Sequence, residues 1–210
     1  MNQSQIREFN IRKVLDVCQD LFLENGVENT TITSIAQKSG LTPTSIYRYF
    51  DNKYNLALTV WHDSLMEFYN ENYMPAYAKA SKNLETGLEK FKACMDVYYE
   101  LYKGNPEWLE YTREMFSLAS RETKNDYVKD PRKFWAEFFE EIPAPTLNAL
   151  QEGVEDGSIR ADVNIYSVYQ LVTNIFTGIR TYEIFTPGMT ALEIIRFTSD
   201  IIAAYLSDNT

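Results

Sequence analysis

The sequence is short of the residues that build reactive centres. It has one histidine, His62, and two cysteines, Cys18 and Cys94, far apart in the chain. That excludes a disulfide framework and leaves no zinc-ligand spacing. A histidine-based triad has one candidate at most, with no G-x-S-x-G elbow beside it, and neither G-x-G-x-x-G nor a Walker loop occurs. The expectation is a protein that is not an enzyme and has no catalytic residue, metal site or cofactor. No apolar run approaches the ~18 residues of a membrane span, so no membrane association is expected. The opening MNQSQIREFNIRK is polar and lacks a signal-peptide core, which points to a cytoplasmic location. With that location, the glycosylation sequon Asn29-Thr30-Thr31 is accidental.

What is present is the balance of a globular chain: 210 residues, 45% hydrophobic and 24% charged, enough to bury a sizeable core. The net charge of −10 is unevenly spread. Residues 1–55 hold six basic and six acidic side chains, while the 14 basic and 24 acidic ones beyond carry the whole excess. A neutral N-terminal unit on an acidic body can still touch DNA through a few placed cations, but without a broad basic field.

Helical periodicity runs throughout, and no alternating strand signal persists. Ile11, Val14, Leu15, Cys18, Leu21 and Phe22 form one buried stripe that Gly26 ends. Thr31 is placed to cap a short helix with Ile32, Ile35 and Ala36 on its inner face and Gly40 at its end. Thr42 then caps and Pro43 opens another, with Ile46 and Phe50 inward. Asp51 is expected to cap the helix that follows, which carries Leu56, Val60, Trp61, Leu65 and Phe68. Further stripes start near Leu84 and after Pro106 and Pro131, Pro143-Ala144-Pro145 breaks the last of these, and the next helix runs to Gly157. Two long helices, about 164–185 and 190–207, finish the chain.

Residues 31–50 read as helix, tight turn, helix, the arrangement whose second helix enters the major groove. With Ile46 and Phe50 inward, that helix offers Thr42, Pro43, Thr44 and Ser45 at its start and Tyr47, Arg48 and Tyr49 further on. Hydroxyls can bond base edges or phosphates, Pro43 can touch a thymine methyl, and the tyrosines and Arg48 reach phosphates. Lys53 opposes the dipole of the next helix, so folding gives it little reason to be there and a bound phosphate would. A plain helical subdomain with surface Tyr and Thr is the bland alternative.

The wording of this segment favours the first reading. Thr30-Thr31-Ile32-Thr33-Ser34-Ile35-Ala36, Ser39-Gly40-Leu41-Thr42 and Ile46-Tyr47-Arg48-Tyr49-Phe50-Asp51-Asn52-Lys53 closely resemble the DNA-binding segment of the TetR family of bacterial transcriptional regulators. The resemblance runs from about Ile11 to Val60. Thr44 departs from it, standing where the family often has glycine or another small residue. The resemblance implies an all-α protein: a three-helix DNA-binding domain (1–51) with Thr31 among its DNA contacts, joined to a helical ligand-binding and dimerisation domain (52–210). It further implies a homodimeric regulator, most simply a repressor released from a palindromic operator by a small molecule.

The larger half has more apolar surface than one core requires. Val168, Val172, Ile175 and Ile179 follow a heptad seam, Gly178 permits close approach, and the last helix shows two stripes, Leu192, Ile195, Ile202 and Ile194, Phe197, Ile201, Tyr205. A dimer interface is expected through Val168, Val172, Ile175, Gly178, Ile179, Ile195 and Ile202, against the alternative of ordinary central helices. The chain has 15 Tyr, 12 Phe and 3 Trp. Most are core by default, but Tyr98, Tyr102, Trp108, Tyr111, Phe134 and Phe138 are the expected lining of a ligand pocket. The rival functions are a DNA-binding regulator gated by a protein partner and, further off, a helical enzyme.

Overall fold

The computed structural model describes residues 2–122, 136–185, 188 and 190–207, and among them no strand occurs. The elements are α1 (Gln3–Asn25), α2 (Ile32–Ser39), α3 (Pro43–Phe50), α4 (Lys53–Glu67), a π-helical stretch (Phe68–Tyr73), α5 (Met74–Ser81), α6 (Gly87–Gly104), α7 (Pro106–Glu122), α8 (Pro145–Asp156), α9 (Ile165–Phe185) and α10 (Ala191–Ser207). The chain forms two compact units: Met1–Met66 with Tyr111–Glu141, and Glu67–Glu110 with Ile142–Thr210.

In the first unit the three short helices start and stop where local chemistry requires. The Thr31 hydroxyl accepts from the Ser34 backbone N–H at 3.0 Å, and Ser34 returns the bond to Thr31. Gly40 ends α2 in the left-handed conformation that the tight turn requires and that glycine adopts freely. The Thr42 hydroxyl caps α3 with Pro43 at its first turn. Ile46 and Phe50 are buried with Ile35 and Phe22, as their spacing predicted. Asp51 behaves differently from the expectation. It takes a positive φ of 67° and closes α3. Asn52 caps α4 instead, its side-chain oxygen accepting from the Asn55 N–H at 2.8 Å. A residue holding the chain in a left-handed turn is one position too early to reach the first amides of α4.

The second unit carries a feature that periodicity does not announce. After Glu67 the backbone widens to a π-helix, with the Met74 N–H bonded to Tyr69 O, five residues back. Pro75 has no N–H to give Glu71, and its ring crowds that carbonyl, which accounts for the widened turns. The wider turn brings residues five apart to one face, and Phe68 and Tyr73 are both buried. They join Val97, Tyr98, Tyr102 and Ile195 in one core cluster. A second cluster, built on Phe91, Met95, Leu150, Ile159, Val172 and Leu206, packs α6, α8, α9 and α10. There α6 and α8 meet at glycine: a Cβ on Gly87 would lie 2.0 Å from the Gly153 nitrogen.

Candidate nucleic-acid interface

The outer face of α3 is built by subtraction. Ile46 and Phe50 are spent on the core, so Pro43, Thr44, Tyr47 and Arg48 stand exposed, with Thr31 and Thr42 at the helix starts. Ser45, Tyr49 and Lys53 are half-buried. The structure thus brings all nine expected DNA-contact residues to the solvent side of one small unit. Two of them already have local work. The Thr31 and Thr42 hydroxyls cap α2 and α3, which accounts for threonine at both positions without DNA.

Lys53 also proves to have a folding role, which corrects the argument from the helix dipole. Its Nζ donates to the Glu28 carbonyl oxygen at 3.1 Å, tying α4 to the loop after α1. Partial burial lowers its pKa, against the attraction of Glu28 and Glu114. Glu114 itself, on α7, accepts from the Val27 N–H at 2.8 Å in the same loop. No periodic signal marks this carboxylate, because its partner is a backbone group 87 positions away.

Tyr49 is the most elaborated residue of the face. Its phenol oxygen accepts from Asn10 Nδ2 at 3.3 Å and from the Arg48 guanidinium at 3.5 Å. These bonds, Asn10 first, hold its pKa below the usual tyrosine range. The Arg48 and Arg7 guanidinium carbons lie 5.3 and 5.8 Å from its ring centre.

The aromatic residues expected to line a pocket fall in different places. Tyr98, Tyr102 and Trp108 belong to the second unit, Tyr111 and Phe138 to the first, and Phe134 lies outside the described residues. In the second unit Phe68 stacks on Trp108 (4.9 Å between centres), Tyr73 leans on Tyr98 (4.4 Å), and Tyr98 stacks on Tyr102. The Tyr69 and Tyr98 hydroxyls share a 2.7 Å hydrogen bond. Burial raises the Tyr69 phenol to about 12 and pushes Tyr98 well above its ordinary value, so both stay neutral. Periodicity places Phe68 on a helix stripe but does not announce Tyr69 and Tyr73 beside it, and the signal for these is Pro75 behind a tyrosine-rich stretch. In the first unit Trp61 is fully buried against Phe116 (4.7 Å) and Phe138 (5.1 Å), and His62 meets the edge of Phe138. Cys18 is buried, and burial drives its thiol up to about 12. Among the described residues no group of His, Cys, Asp and Glu could hold a metal, and no helix is long and apolar enough to cross a membrane.

The two stripes read on the last helix exist, with their roles exchanged. Val168, Val172, Ile195 and Ile202 are 7, 2, 0 and 4% exposed within the single chain, so their surface is already spent on its own core. Little of that surface is left over for a second subunit. Ile175 packs against both clusters of the second unit, Gly178 has open space where a Cβ would stand, and the Ile179 side chain lies outside those described. The outward stripe is Phe197, Ile201 and Tyr205 on α10, each about half exposed, with Tyr166 and Leu171 exposed on α9.

A capped helix, a left-handed glycine turn and a proline-led helix with a polar outer face define a helix-turn-helix DNA-binding protein, here with a second, helical unit. Residues 14–60 match the family model "Bacterial regulatory proteins, tetR family". Residues 14–60 thus form a DNA-binding segment of that family's kind, the described residues are all-α, and the class of work this supports is transcription regulation through DNA binding. The chain is 23% identical over 172 residues to the HTH-type transcriptional repressor KstR2 of Mycolicibacterium smegmatis, covering 81% of this chain and 78% of that protein. In fold it is similar to a TetR transcription regulator from Haloarcula marismortui (TM-score 0.67, 16% identity, 96% of this chain and 100% of the other). It is likewise similar to the transcriptional regulator FadR of Bacillus subtilis, solved with stearoyl-CoA (TM-score 0.63, 16% identity, 92% and 98%).

Proposed function

We propose that the chain is a homodimeric transcriptional repressor that places two copies of α3 in successive major grooves of a palindromic operator and is released by a small molecule held in its second unit. The observation that carries this is the outer face of α3: Pro43, Thr44, Tyr47 and Arg48 exposed while Ile46 and Phe50 are locked inside. Thr44 and Pro43 lie where side chains meet base edges, and Tyr47, Arg48, Tyr49 and Lys53 are placed to hold phosphates. The domain work divides accordingly, with DNA recognition in the first fifty or so residues and effector binding and dimerisation beyond.

The outward stripe Phe197, Ile201, Tyr205 with Leu171 supports dimerisation, since helices apolar on two sides bury both. A second copy offers the same stripe and a twofold axis that matches a palindrome. The neutral aromatic cluster of Phe68, Tyr69, Tyr98, Tyr102 and Trp108 supports a largely apolar effector, held by ring faces and phenol hydrogen bonds. FadR of Bacillus subtilis, solved with stearoyl-CoA, fits that chemistry. The effector acts only through differential affinity for DNA-competent and released states.

A mobility-shift assay with the duplex upstream of the chain's own gene, beside a scrambled duplex, tests the reading. Retardation of the first at protein concentrations that leave the second free is expected. Equal retardation, or none, overturns it. Complexes that no small molecule from an acyl-CoA and aromatic panel dissociates would point to the protein-partner alternative.

A further inference from the structure

The two arginines of α1 stand in opposite situations. Arg12 is neutralised: its guanidinium meets Asp16 at 3.0 Å and Asp63 at 2.9 Å. Arg7, less than two turns earlier on α1, has no carboxylate within ion-pair distance among the described residues, and neither has Arg48. Instead both guanidinium carbons lie near one phenol, Tyr49, at 5.8 and 5.3 Å from its ring centre. Asn10, one turn beyond Arg7, donates to the Tyr49 hydroxyl and fixes where that ring stands.

In a chain of net charge −10, carboxylates are plentiful, yet among the described residues none answers these two cations. Two guanidiniums at one ring repel each other, and the ring's quadrupole offsets that only partly. An anion set between them, also accepting from the Tyr49 hydroxyl, satisfies all three groups. Guanidinium forks match the tetrahedral oxygens of phosphate. Arg48 and Tyr49 close the helix whose start faces the bases, so the phosphate in question belongs to the DNA backbone flanking the groove.

We infer that Arg7 of α1, with Arg48 and Tyr49 of α3, forms a clamp for a DNA backbone phosphate, extending the DNA contact beyond the helix-turn-helix onto the first helix. This rests on the DNA-binding reading above and adds a residue outside the expected contact set. Arg7 acts by charge and position and reads no base.

The test is fluorescence anisotropy of the full-length protein on a labelled mixed-sequence duplex between about 50 and 200 mM salt, with thermal melts of each variant. Arg7→Ala is expected to weaken binding several-fold and to reduce the slope of log K against log salt by about 0.9 per subunit. Its melting temperature should equal the wild type's. Arg7→Lys should restore most of the slope. Arg12→Ala should leave the slope unchanged, because its charge is already answered. An unchanged slope in both Arg7→Ala and Arg7→Gln, with wild-type binding intact, overturns the clamp and leaves the DNA reading standing. Equal loss of slope in Arg12→Ala overturns it too, as the signature of a diffuse field. A wild type that binds no duplex at any salt overturns the DNA reading itself.

Discussion

Single side chains in the first unit do two kinds of work, and substitution separates them. Thr44 is exposed at the start of α3 with no hydrogen bond to the protein among those described, so its value lies outside the fold. Thr44→Ala is expected to cost ~1–3 kcal/mol per subunit on the operator, to spare non-specific binding and to leave the melting temperature unchanged. Anisotropy on operator and scrambled duplexes reads this directly. Glu114 is the converse case. Its carboxylate satisfies the Val27 N–H and attracts Lys53, and no DNA role is needed to explain it. Glu114→Ala leaves a half-buried amide unpaired and should cost about 1–3 kcal/mol in urea unfolding, whereas Glu114→Gln, which keeps an acceptor, should cost less. Equal losses for the two variants would show that charge, rather than the hydrogen bond, holds that loop.

At the scale of elements, the second unit depends on how helices start and cross. The Asp156 carboxylate at the end of α8 accepts from the Gly87 N–H at 2.6 Å and from the Ser158 N–H at 2.8 Å. The bonds to Ser158 and Gly87 hold its pKa below the usual aspartate value of 3.8. A depressed carboxylate contributes stability that is complete above its unfolded pKa and is lost as pH falls through the lower folded value. Acid titration of the melting temperature from neutral pH to below 3.8 should therefore show a decline that Asp156→Asn makes shallower. Gly87 offers a sharper test. A methyl group there meets backbone of α8, which no side-chain rotation relieves. Gly87→Ala should destabilise by about 1–3 kcal/mol or more, measured by urea unfolding. Gly104, with open space around it, should accept alanine at little cost.

For the molecule as a whole, neighbouring residues of α10 divide the inner contacts from the outer ones. Ile202 is 4% exposed and Ile201 52%. Ile201→Asp is expected to leave the subunit folded but monomeric by sedimentation at micromolar concentration, with operator binding lost together with the dimer. Ile202→Asp puts a charge in the core and should unfold the second unit. An Ile201→Asp protein that stays dimeric would move the interface off this stripe.

Much of this architecture is written in local chemistry. Ile46 and Phe50, four apart, had to face inward, and Thr31, Thr42, Pro43 and Gly40 set helix ends through groups only a few residues away. The two apolar stripes of α10 are equally plain in the pattern. Which stripe faces inward is a different matter. Both are hydrophobic at the same spacing, so periodicity is blind to the choice. Only the packing of α10 against α6 and α9, which buries Ile195 and Ile202 and leaves Phe197 and Ile201 outside, decides it. The same limit governs Lys53 and Arg7. Local sequence shows a cation near a helix start, but whether a partner neutralises it depends on residues brought close by the fold. Lys53 finds the Glu28 carbonyl 25 positions back, while Arg7 finds the Tyr49 ring and no carboxylate among the described residues. Patterns of one or two turns are therefore settled along the chain, and the partners of long polar side chains are settled in space.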